Sequence, residues 1–262
     1  MNAVNTLNVG LGHLPFPQAH VDHIDLMVSP RFIAGPNQLA VVDDSLFGQN
    51  GSALSEYVQL LWLLDHLDVV TVGYSYLRIF HYRRFVSREK PRVGQRSTNL
   101  PWSTAISSAE LSSFASEFGR FSDTEVFNTK VQFGDGMLAQ YARAHVLEDI
   151  LNFTKFLIEI GVFSSSEASN FLRESTNIPA CNIGVFSLET FRSIFSVLRK
   201  GADFVHSPYF VVRQGYQRRS VGFLLERLNG YLILKMIRNG EVKANFGHNI
   251  VISDDAVVSV TL

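Results

Sequence analysis

The sequence predicts an α/β protein: a mixed sheet flanked by helices, with a largely helical C-terminal portion. Three observations carry this. In the first third, β-branched runs such as TLNVGLGH (6–13), QLAVVDD (38–44) and DVVTVGYSYLRIF (68–80) alternate with one amphipathic helix. From residue 137 onward, helical periodicity dominates. The 262 residues are 46% hydrophobic and 18% charged, enough for one substantial core.

Each element follows from its local pattern. TLNVGLGH alternates and ends in glycines, so it reads as a strand running into the loop LPFPQ. HVDHIDLMVS (20–29) mixes histidine and aspartate with apolar residues and is left unassigned. GQNGS (48–52) is a turn that starts the helix ALSEYVQLLWLLDHL (53–67), whose polar stripe is Ser52, Ser55, Glu56, Gln59 and His66. Strand, loop, strand, helix, strand points to parallel pairing. Residues 88–104 form a basic loop of the kind that often binds or covers a ligand. A short capped helix is expected at 107–119, one long helix at 137–161 ending at a glycine, and a serine-capped helix at 164–176. PACNIGVFSLET (179–190) holds a strand, 191–201 is a helix, 209–240 is mostly helix, and the tail from 251 is strand-like or loosely ordered. The expected division is a first half of alternating strands and helix (1–105), a helical half (106–240) and a tail (241–262), all in one domain.

The totals exclude some functions. Lys+Arg 23 against Asp+Glu 24 gives no global attraction to nucleic acid. One cysteine, Cys181, allows neither an intrachain disulfide nor a cysteine zinc cluster. No basic region followed by an apolar run opens the chain, so no signal peptide is expected. The most apolar stretches are interrupted by charge or glycine, so membrane contact would be peripheral.

Four stretches carry candidate chemistry. FHYRRFVS (80–87) puts His81, Tyr82, Arg83 and Arg84 at the end of a strand. Planar, permanently charged guanidiniums there suit phosphate, and a solvated corner of ion pairs is the structural alternative. In RRSVGFLLERLNG, Arg219, Gly222, Glu226 and Gly230 share a helical stripe. The glycines either leave space for a ligand above Glu226 or allow a close backbone contact, with Glu226 paired to an arginine. In QYARAHVLEDI, Tyr141, His145 and Asp149 recur every four residues along one expected helix face. HVDHID offers four candidate metal ligands in six residues, at no established zinc spacing, and polar surface explains it as well. Walker loops, nucleophile elbows, dinucleotide fingerprints and a DxD motif are absent. VVDDS supplies adjacent carboxylates, Asp43 and Asp44.

Taken in order, these segments resemble the bacterial capsular and exopolysaccharide glycosyltransferases marked by an HYRR motif, some of which are galactofuranosyltransferases. The correspondence runs through VGLGH, NGSALSEYVQLLWLLDHL with Asn50, Glu56 and Trp62, HYRRF, then Gln140, Tyr141, His145 and Asp149, then NIGVFSLETFRSIFSVL with Asn182, and finally Arg219 with GFLLERL. It covers roughly residues 5 to 238. LSEYVQL stands where the family has an ELT core, and Tyr-Leu-Arg precedes HYRR in place of an aliphatic-glycine approach.

The resemblance implies a GT-A-like fold and inverting transfer of a sugar, galactofuranose in some members, from a UDP-sugar donor to a glycan or lipid-linked acceptor. His13, His81, Tyr82, Arg83, Arg84, Asp44 and Arg219 would hold the donor. Gln140, Tyr141, His145 and Asn182 would contact the acceptor. Glu226 or Asp149 would be the base. No cofactor is certain, with manganese or magnesium left open, and no metal ligand is assigned. The resemblance places the protein in the cytoplasm, peripherally at the inner face of the membrane. Two alternatives stand beside it. One is a non-catalytic subunit of a glycan-assembly complex. The other is a metal-dependent nucleotidyl or phosphoryl transferase using HVDHID with Asp43 and Asp44.

Overall fold

The computed structural model describes residues 5–12, 23–29, 39–41, 50–92, 94–97, 100, 102–118 and 124–253. His13 and Asp44 lie outside them. The first strands are β1 (Thr6–Leu11), β2 (Leu26–Ser29), β3 (Leu39–Val41) and β4 (Tyr76–His81). All are parallel, in the order β3-β2-β1-β4, so the direction of winding reverses between β1 and β4. Every residue of β1 is buried, as expected for a parallel strand covered on both faces. The α/β prediction and the parallel first third therefore hold.

β4 turns through Tyr82–Arg83 into β5 (Arg84–Ser87). β6 (Gln95–Arg96) and β7 (Ser103–Ile106) form an antiparallel pair. β8 (Glu125–Asn128), β11 (Gly184–Ser187) and β12 (Ala244–Ile252) complete the large sheet, while β9 (Val131–Gln132) and β10 (Thr176–Asn177) pair separately. β11 runs antiparallel to both β4 and β8, and β12 runs parallel to β8 and β7 but antiparallel to β5. Strands β4, β11, β8, β12 and β5 thus pair in a closed, barrel-like cycle. The segment after residue 241 supplies β12, a central member of that cycle.

Helices α1 (Tyr57–Asp65), α2 (Leu67–Val70), α3 (Gly136–Ala144), α4 (Leu147–Glu159), α5 (Ser165–Arg173), α6 (Leu188–Ala202) and α7 (Ser220–Arg238) follow. Strand periodicity sorts the core. Leu77 and Ile79 of β4 join the large core with α1, α6 and α7. Phe80 points the other way, into a smaller core with Phe85, Ile106 and Ile250, covered by Leu111 and Phe114 of a 3-10 segment, Ser108–Phe118. The Phe-rich C-terminal helices form core: Phe153, Phe171, Phe191, Phe195 and Phe204 are fully buried.

Two expected elements differ. The strand expected at 68–80 begins only at Tyr76, because Leu67–Val70 continues as helix beyond α1. The long helix expected at 137–161 breaks at His145, whose backbone is extended (φ −139°, ψ 178°). Gln217 Nε2 caps the freed Ala144 carbonyl at 3.0 Å. Glu148 and Asp149 then favour the positive end of a new helix. Tyr141, His145 and Asp149 therefore do not lie on one helix face.

Candidate functional site

The two-residue turn makes His81 and Arg84 direct cross-strand partners. His81 has the same parity as Leu77 and Ile79, so it faces α1. There Glu56, at the N-cap of α1, meets both. Its Oε1 lies 3.2 Å from His81 Nε2 and 3.6 Å from Arg84 Nη2. Ser55, with a left-handed φ of 55°, donates its hydroxyl to the other carboxylate oxygen. Burial raises the Glu56 carboxyl, but the His81 hydrogen bond and the charges of His81 and Arg84 outweigh it and hold it well below the usual range. Arg84 keeps 20% of its side-chain surface exposed. Gln59 Nε2 donates to the Gly12 carbonyl at 3.2 Å, which ties α1 to the end of β1. The cluster therefore sits beyond the carboxyl ends of β1 and β4, where winding reverses and where open α/β sheets bind ligands.

Arg83 lies in the turn with its guanidinium 5.3 Å from the Tyr82 ring centroid. Tyr82 itself is buried in the smaller core.

The N-terminus of α7 closes over the same region. A Cβ at Gly222 would stand 2.9 Å from the Leu54 carbonyl oxygen and 2.9 Å from Ser55 Cβ. A Cβ at Gly230 would come within 2.9 Å of Asn177 Oδ1. Both glycines thus serve close contact between chain segments. Through Gly222 the helix rests on the Leu54–Ser55 backbone, beside Glu56. Arg218 Nε donates to Ser52 Oγ at 3.2 Å. Exposed Arg219 lies 5.2 Å from the Tyr216 ring and 5.4 Å from Phe223.

The other predicted residues form a neighbouring network. Glu226 accepts from the Ala180 amide at 3.2 Å and pairs with Arg227 at 2.9 Å. Arg227 also donates to Gln140 Oε1 at 3.4 Å and lies 5.8 Å from the Tyr141 ring. His145 stacks on Phe223 at 4.1 Å and meets Gln217 Oε1 at 3.3 Å. Burial, then the Arg227 and Arg219 charges, push its pKa down to about 4 against the pull of Gln217, so it is neutral at pH 7. Burial and the nearby Asp149 charge raise the Tyr141 hydroxyl. Asp149 is buried and bonded to Arg213 at 2.7 and 3.2 Å. Asn182 is buried in the turn that leads into β11.

The structure thus brings His81 and Arg84 together, and places Arg219, Glu226, Gln140, Tyr141 and His145 around the start of α7. Asp149 is held by Arg213, near enough to Tyr141 for its charge to act on that hydroxyl. Glu56, Ser55 and Arg218 were not among the predicted site residues. The signal for Glu56 was its place on the polar stripe of that helix and in the segment that carries the family resemblance. An open groove of about 510 Å³ lies elsewhere, lined by Leu138, Ala142, Leu147 and Leu172, and shares no residue with this cluster. Among the described residues, no three His, Cys, Asp or Glu side chains are placed to hold a metal ion.

No protein-family model matches the chain, and no curated protein matches it. A solved structure does: the apo form of WbbM, a bifunctional glycosyltransferase, with TM-score 0.66 and 15% identity. The match covers 95% of this chain and 46% of that one, so the chain spans under half of WbbM's length. At this identity the likeness establishes the fold, an α/β architecture shared with part of a glycosyltransferase.

Proposed function

We propose that the protein is a glycosyltransferase of GT-A-like fold. It moves a sugar, galactofuranose being one candidate, from a nucleotide-diphosphate donor to a cell-surface glycan or glycolipid acceptor. The observation that carries this reading is the convergence of His81 and Arg84 on Glu56 at the β1/β4 reversal. The strand order β3-β2-β1-β4 followed by antiparallel β11 agrees with it, as does the likeness to WbbM, a bifunctional glycosyltransferase.

In this reading Arg84 and Arg219, with Arg83 at the turn, stabilise negative charge on the departing diphosphate. His81 and Tyr82 line the donor side, and Glu56 positions His81 and Arg84. The acceptor hydroxyl oxygen bonds to the anomeric carbon as the bond to the nucleoside diphosphate breaks. Its proton passes to Glu226, whose side chain is 30% exposed. Gln140, Tyr141 and His145 shape the acceptor side, and Asp149 holds Arg213. One observation favours a second reading, a non-catalytic subunit of a glycan-assembly complex: both Glu226 oxygens already have partners, Ala180 and Arg227.

The test is thermal unfolding against nucleotides and nucleotide sugars, with and without manganese. UDP or a UDP-sugar at a hundred times its Kd should stabilise the native state by about 2.7 kcal/mol. Arg84→Ala should abolish that shift. Absence of any shift, or an unchanged shift in Arg84→Ala, overturns the donor site. Donor turnover that survives in Glu226→Gln overturns its role as base.

A further inference from the structure

The outward face of α4 is apolar where a surface helix is normally polar. Leu147, Leu151 and Ile158 keep 44%, 43% and 37% of their surface exposed. At 3.6 residues per turn these three fall within about 40° of one another, so they form one narrow seam. Along one flank of the seam run Glu148, Lys155 and Glu159, all with exposed side chains. The rest of the helix is already committed to the core through Ile150, Phe153, Phe156 and Leu157. Leu147, at the head of the seam, also lines the open groove of about 510 Å³, together with Leu138 and Ala142 of α3 and Leu172 of α5. Seam and groove are therefore one continuous apolar surface, of the kind that marks a protein contact.

We propose that this surface is a self-association face: a second copy of the chain packs its α4 antiparallel against the first, about a two-fold axis at Leu151. The charge pattern selects both the occupant and the direction. A two-fold axis perpendicular to two antiparallel helices sets each flank against the same flank of the other copy. Glu148 and Lys155 lie on that flank, on opposite sides of Leu151 and almost equally far from it. Glu148 of each copy therefore meets Lys155 of the other, and the pair forms twice. Within the chain Lys155 has Glu159 at 3.9 Å and the Tyr209 ring at 4.2 Å. Glu148 has Arg213 at 3.3 Å, which Asp149 holds more closely, at 2.7 Å. These contacts leave both side chains free to reach across. Parallel alignment would set the charged flank against Ile150, Thr154 and Leu157, which are buried. The spacing of the apolar residues agrees. At a rise of about 1.5 Å per residue, Ile158 stands about 10 Å from Leu151 along the axis and Leu147 about 6 Å on the other side. In the antiparallel pair Ile158 of each copy thus passes beyond Leu147 of the other and covers the groove.

The proposal does not rest on the transferase reading and its test needs no ligand. The experiment is analytical ultracentrifugation of the full chain, from about 1 to 100 μM. The species should approach twice the 29.4 kDa of the chain as concentration rises. Leu151→Glu places two carboxylates together on the axis and should leave a monomer throughout, with unchanged circular dichroism because Leu151 lies outside the core. Lys155→Glu should raise the dimer Kd by about tenfold or more, through two new like-charge contacts. Adding Glu148→Lys to it restores both pairs with signs exchanged and should return the Kd to within about threefold of the starting protein. A monomer at every concentration gives the seam to another partner and overturns the proposal. So does a dimer that survives Leu151→Glu, or a double exchange no tighter than Lys155→Glu alone.

Discussion

At the β1/β4 end, two basic side chains, His81 and Arg84, share one carboxylate, Glu56; on α4, one guanidinium, Arg213, is shared by two carboxylates, Asp149 and Glu148. The first group sits beyond parallel strand ends with Arg84 partly exposed. In the second, Asp149 is buried and held through one carboxylate oxygen by Arg213. A guanidinium that still reaches solvent suits an anionic ligand. A buried acid matched by its own arginine serves the fold. Residue type does not distinguish the two groups, since both combine arginine and acid; burial and exposure do.

The largest effect expected is from Arg213→Ala. It strands the buried Asp149 and should destabilise the fold by about 3 kcal/mol, read by urea unfolding. The nucleotide-induced shift should persist. Arg84→Ala should show the opposite pattern, with a small loss of stability and no nucleotide shift. If the two variants behave alike, the contrast fails. Gly222→Ala links the regions, since the new methyl meets Leu54 and Ser55. We expect a cost of about 1–3 kcal/mol together with weaker nucleotide binding, measured by the same two assays.

Smaller effects should appear in the pH dependence of stability. Glu56 titrates below its ordinary value of 4.5, so its contribution is present above that value. It is lost as pH falls through the lower folded value. Glu56→Gln should flatten this acid limb. His145 is lowered from 6.5 to about 4. Across that window the unfolded chain binds the proton more readily, so stability falls as the pH drops from 6.5 towards 4. His145→Gln should remove the slope there. A slope that persists would place the histidine in water, away from Phe223.

The sequence by itself determined the α/β class, the parallel first third and most helices, because period-2 and period-3.6 apolar patterns report burial directly. It also singled out FHYRRF. It did not show that His81 and Arg84 pair across strands, because that depends on a two-residue turn with Arg83 at its tip. Nor did it show the break at His145. The apolar period runs through that point, and the cap that ends α3 comes from Gln217, 73 residues away from Ala144. The glycines at 222 and 230 were legible as special, but whether they opened space or allowed contact depended on what the chain laid against them. Only the tertiary structure brought Glu56, His81, Arg84 and the start of α7 to one place. Spacing along a chain records which side chains share a face of one element, and the meeting of separate elements is decided by packing.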